Sequence, residues 1–138
     1  MNAILKAFVI ACKAHYKQHD KGGKPYILHP LYIAWQVHSK NAKAVALLHD
    51  ILEDCDKFTL KDLYFLSNEQ KEALVLLTHN DETPYIDYIH NIKQNPLAKE
   101  VKQQDLLQNL NLKRLKTIQT KDINRARKYL TALEILNE

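Results

Sequence analysis

The run Ala44–Asp54, AVALLHDILED, constrains the fold more than any other part of the chain. Ala44, Leu47, Leu48, Ile51 and Leu52 recur at the three- and four-residue spacing that buries one helix face. Into that apolar stripe the sequence sets His49, Asp50, Glu53 and Asp54. On one continuous helix Asp50, Glu53 and Asp54 would project from neighbouring turns of the same side. Like charges crowded beside a core are costly unless something positive sits among them. The pattern therefore predicts a bound metal ion.

The rest of the chain reads as helices joined by short breaks. A first helix is expected over Asn2 to His19, burying Ala3, Leu5, Phe8, Val9, Cys12, His15 and Tyr16. Asp20-Lys21-Gly22-Gly23-Lys24-Pro25 ends it, because paired glycines permit positive φ and proline disfavours continuing. Tyr26 to His29 is read as a connector, and Pro30 starts a second helix to Ser39 whose Tyr32 and Trp35 face the core. Asn41 is the expected N-cap of the central helix. Thr59 with Asp62, and then Ser67 or Asn68, open two further helices, to Leu66 and to Thr78. A loop at His79–Thr83 precedes helices over Pro84–Asn95, Pro96–Thr117 and Ile123–Leu136. No two-residue alternation lasts long enough for a strand. An all-α fold follows, with residues 1–138 forming a single domain.

Composition narrows the function. With no run of about 18 apolar residues the chain has no membrane span, and its N-terminal stretch reads as a helix, not a signal peptide. Cys12 and Cys55 lack zinc-type spacing and are read as free thiols of a cytoplasmic protein. The formal charge of +4 favours a phosphorylated small molecule or weak nucleic-acid contact. The basic residues from Lys113 to Lys128 form the wet face of amphipathic helices, without a recognition motif or aromatic platform for a polynucleotide.

Beyond the central helix, His29 sits where a connector meets a helix, and Asp105 and Asn109 share one face of a late helix. His29, His49, Asp50 and Asp105 would make a nitrogen and oxygen sphere suited to Mn, Fe, Zn or Ni rather than calcium. Adjacent side chains on an ideal helix diverge by about 100°. His49 and Asp50 can then meet one ion only above the groove between two helix faces. His15, His19, His38 and His90 lack such a context and are read as filler, whereas His79 stands on a loop at the end of a helix.

The blocks GGKPYILHP, ALLHDILED and VKQQDLLQN, in that order, resemble the HD-domain metal-dependent phosphohydrolases. The likeness is closest to Rel/Spo-type (p)ppGpp hydrolase domains and small stand-alone alarmone hydrolases, and it runs from about His15 to Tyr129. It implies an HD-type helical bundle that removes a 3′-pyrophosphate from a guanosine alarmone, with Mn2+ as the usual ion. It further implies metal ligands at His29, His49, Asp50 and Asp105, a water-handling acid pair at Glu53 and Asp54, and a nucleotide contact at Asn109. Lys21 and Tyr26 are expected to reach the substrate. Two departures bear on the base: Asp20 stands where the family has an arginine that stacks on guanine, and DLLQN replaces DRLHN, with Leu106 and Gln108. The reaction type therefore transfers better than the substrate, and the alternative is an HD-fold module that binds a nucleotide without turnover.

Overall fold

The computed structural model describes residues 2–138, the side chain of Asp54 excepted. Helices account for the architecture, as expected; among the described residues the only extended pairing is an isolated bridge between His19 and Pro25. In order they are α1 Ala3–Ala14, α2 Leu28–Gln36, α3 Lys40–Leu48, α4 Ile51–Asp54, α5 Asn68–Leu77, α6 Tyr85–Lys93, α7 Pro96–Asn109 and α8 Thr120–Asn137. Single 3-10 turns lie at Leu60–Leu63 and Leu112–Arg114. Among the described residues no helix is long and apolar enough to cross a membrane.

The centre is α3. Ala42, Ala44, Val45, Ala46, Leu47 and Leu48 are all buried, so from Ala44 onward the helix is apolar on every side and must be surrounded. Its alanines let α1, α2, α5 and α7 pack against it closely. Ser39, rather than the expected Asn41, caps it, its Oγ accepting from Ala42 N–H at 3.0 Å.

The expected continuous helix through Asp54 is broken after Leu48. His49 Nδ1 donates to the Ala46 carbonyl at 2.6 Å, and His49 N–H also points there at 3.5 Å. In an α-helix that carbonyl would accept from residue 50. A side chain has taken the acceptor, the backbone turns at Asp50, and α4 resumes at Ile51. This break decides the geometry of the site.

Other boundaries shift for local reasons. α1 ends at Ala14, five residues before His19, because His15 caps it and Lys17 adopts a left-handed φ of 66°. Its packed face is Ile4, Ala7, Phe8 and Ala11, leaving Leu5 and Tyr16 exposed against expectation. α2 begins two residues before Pro30, which tolerates a first turn, so His29 is helical rather than part of a connector. Pro30, Ile33 and Val37 form the buried stripe of that segment, which turns Tyr32 and Trp35 outward instead of into the core. α7 stops at Asn109, short of the expected Thr117, where Asn111 accepts from Lys113 N–H and starts the 3-10 turn.

The turn at residues 20–24 is held by Asp20, whose Oδ1 accepts from Lys24 N–H at 2.9 Å. Gly23 has φ +86°, and a Cβ on Gly22 would lie 2.4 Å from the Arg114 carbonyl oxygen. Both glycines are thus required, one by conformation and one by close approach.

Candidate metal and phosphate site

Four side chains from three parts of the chain converge where α2, the α3–α4 break and α7 meet. His29 Nε2 lies 2.9 Å from Asp105 Oδ1 and 3.9 Å from Asp50 Oδ2. His49 Nε2 lies 3.1 Å from Asp50 Oδ2 and 3.7 Å from Asp105 Oδ1. One ligand atom each from His29, His49 and Asp105 falls within 4.8 Å of the others. Because α3 has broken, neighbours His49 and Asp50 aim at the same point instead of diverging by a helix step.

The chemistry of His49 fits a cation there. A carbonyl only accepts, so Nδ1 carries the proton in the hydrogen bond to Ala46, and in the neutral ring Nε2 is a lone pair. That atom is buried, makes no hydrogen bond, and faces two carboxylates. A lone pair aimed at carboxylate oxygens needs a proton or a metal between them.

The electrostatics agree. Burial opposes charging His49, but Asp50 and Asp105 outweigh it and hold its pKa well above the ordinary 6.5. Burial would raise Asp50, yet the His49 charge pulls it down to about 2. Asp105 is likewise opposed by burial and held well below 3.8, chiefly by Lys102. Both acids are therefore anionic at neutral pH.

Lys102 was not among the residues the sequence singled out. Its Nζ sits 3.0 Å from Asp105 Oδ2 with the side chain 13% exposed, and its ammonium lies 5.3 Å from the centre of the Tyr88 ring. The one signal was its place three residues before Asp105 in the VKQQD block. Lys102→Met is expected to cost about 3 kcal/mol, because it removes the ammonium from a buried carboxylate and leaves Asp105 Oδ2 without its ion-pair partner. Asp105 has a depressed pKa, so its contribution to stability is present above about 3.8 and lost as pH falls through the lower folded value. The variant should therefore unfold in acid at a higher pH than wild type, as circular dichroism across an acid titration would record.

Tyr26 hydroxyl donates to Asp50 Oδ2, and its ring is backed by His15 at 4.7 Å, which gives that buried histidine a supporting position. Asn109 Nδ2 donates to Asp105 Oδ1 at 2.9 Å, and its Oδ1 accepts from Arg114 Nη2 at 3.5 Å, so its amide holds a site carboxylate. Glu53 is exposed on α4 and accepts from His79 N–H. The His79 ring is tied to the loop by Nε2–H donating to the Thr83 carbonyl at 2.7 Å. The Asp54 side chain, the second expected acid, lies outside the described residues.

Lys21 is exposed at the mouth of a cleft of ≈ 870 Å³ that His29, Asp50, Glu53, Asp105 and Asn109 also line. Partial burial lowers the Lys21 pKa, and Arg125 and Arg114 lower it further, so cations crowd this rim. The cleft can hold an anion larger than phosphate.

No protein-family model matches the chain. Guanosine-3′,5′-bis(diphosphate) 3′-pyrophosphohydrolases do. That of Borreliella burgdorferi is 42% identical over 100 residues, covering 64% of this chain and 13% of the relative. That of Vibrio cholerae is 38% identical over 68 residues, covering 46% of this chain and 9% of the relative. The chain is related to the SpoT/Rel-type proteins. It spans only 9% to 13% of the length of the curated relatives it matches. A solved structure, described as "A metazoan ortholog of SpoT hydrolyzes ppGpp and plays a role in starvation responses", superposes with a TM-score of 0.78. That alignment covers 99% of this chain and 86% of the other at 18% identity, and shows that the two share the helical fold.

Proposed function

We propose that the chain hydrolyses the 3′-pyrophosphate of a guanosine alarmone, using one divalent cation held by His29, His49, Asp50 and Asp105. The observation that carries this reading is the buried, unbonded His49 Nε2 facing two carboxylates, in a chain related to 3′-pyrophosphohydrolases. Mn2+ suits this nitrogen and oxygen donor set. When bound, such an ion neutralises phosphate charge and acidifies water.

The protein's own groups supply the rest. Glu53, exposed beside the ligand cluster and held by the His79 amide, accepts the proton of the attacking water, with Asp54 as its partner. Tyr26 and Asn109 hold Asp50 and Asp105 in place by hydrogen bonds. Lys21 and its neighbours on the rim draw the polyanion in. A single cytoplasmic domain, acting on a small nucleotide and neither a polynucleotide nor a membrane, is part of the same proposal.

The test is release of pyrophosphate from guanosine 3′,5′-bis(diphosphate) by Mn2+-loaded protein, with chelator-stripped protein as the control. Release in the loaded sample alone is expected. A binding module without turnover is the competing reading, motivated by Asp20, whose carboxylate is occupied in the turn where the family's arginine would stack. A nucleotide that raises the melting temperature but survives overnight incubation would favour it.

A further inference from the structure

We infer that Trp35, assisted by Tyr32, is the platform on which the substrate's nucleobase stacks. The inference deepens the nucleotide-hydrolase reading above and rests on it. Trp35 is 81% exposed and Tyr32 47% exposed, and both line the same cleft as His29 and Asp105. Isolated surface aromatics need no explanation. Here two stand three residues apart on one helix, with Leu28 and Leu31 completing an apolar wall of the cleft.

His29, Tyr32 and Trp35 follow one another along α2, which rises about 1.5 Å per residue. Tyr32 is thus about 4.5 Å, and Trp35 about 9 Å, along the axis from the histidine at the ligand cluster. A ribose spans such an interval between its 3′-phosphate and its base. With phosphate at the cluster, the base reaches the second or third turn of α2.

The glycine turn also lines the cleft, but its Asp20 Oδ1 accepts from Lys24 N–H, and a carboxylate cannot stack in any case. An indole can, because every base presents a π-face to it. Stacking reads area more than hydrogen-bonding pattern, so purines should bind better than pyrimidines, with little preference between guanine and adenine.

Trp35 is the only tryptophan in the chain, so its fluorescence reports this position alone. The experiment titrates guanosine 3′,5′-bis(diphosphate), and separately inorganic pyrophosphate, into the Mn2+-loaded protein in the cold, following emission and heat together. Both ligands should bind by calorimetry, and only the nucleotide should quench the indole. Trp35→Leu should weaken nucleotide binding roughly tenfold or more and leave pyrophosphate binding unchanged, while Trp35→Phe restores most of the loss. Trp35 is exposed, so these variants should melt with wild type. Nucleotide binding without quenching, and equally tight in Trp35→Leu, would overturn the platform while leaving the hydrolase reading intact. Absence of heat with either ligand would overturn both.

Discussion

Replacing His49 by alanine is expected to abolish Mn2+ binding and, with it, all metal-dependent pyrophosphate release. The ring supplies the one donor that is 3% exposed, fixed as a tautomer by Ala46, and turned toward both Asp50 and Asp105. Its removal leaves the buried Asp105 and the half-buried Asp50 with less positive charge between them, which neither a water nor a methyl group replaces. A buried side chain is also lost, at a cost of about 2–5 kcal/mol by analogy with other large-to-small changes. Calorimetric titration with Mn2+, run beside circular dichroism at a temperature where the variant is folded, separates lost metal from lost fold. Asp105→Asn provides the second variant: it keeps the shape, removes the charge, and should bind Mn2+ far more weakly. Metal binding undiminished in both would refute the ligand assignment.

Glu53→Gln is expected to do the reverse, keeping the ion and losing the reaction. Glutamine retains an oxygen that accepts from the His79 amide, so the α4–loop contact survives. It cannot take a proton near neutral pH, and loss of a general base lowers turnover by about 10²–10⁴-fold. Because Glu53 is exposed, the melting temperature should move by less than about 0.5 kcal/mol equivalent. Steady-state release of pyrophosphate, measured at saturating Mn2+, should show the loss in kcat with KM little changed. An unaltered kcat would remove Glu53 from the chemistry and leave the proton to another group.

What the sequence made legible was the set of groups that meet, because His29, His49, Asp50 and Asp105 sit in three ordered blocks. How they meet was not. The apolar stripe from Ala44 to Leu52 runs unbroken through His49, so periodicity predicts one helix; the break comes from a ring nitrogen taking the Ala46 carbonyl, a contact no spacing rule encodes. Lys102 looked like any solvated lysine on a helix, and only the fold places it against Asp105 and Tyr88. Tyr32 and Trp35 were expected inside because aromatic residues on a short helix usually pack. The stripe Pro30, Ile33 and Val37 filled that role with smaller side chains, leaving the rings in the cleft. Capping signals are more legible: Thr59–Asp62 closes its box, although over a 3-10 turn that ends at Leu63 rather than a helix to Leu66, and Ser67, of the two residues expected there, caps α5.

The central claim is tested most directly by locating the ion. Anomalous diffraction from a Mn2+-soaked crystal should show a single strong peak bonded to His29 Nε2, His49 Nε2, Asp50 and Asp105. A peak at any other set of side chains, or none at saturating Mn2+, would contradict it.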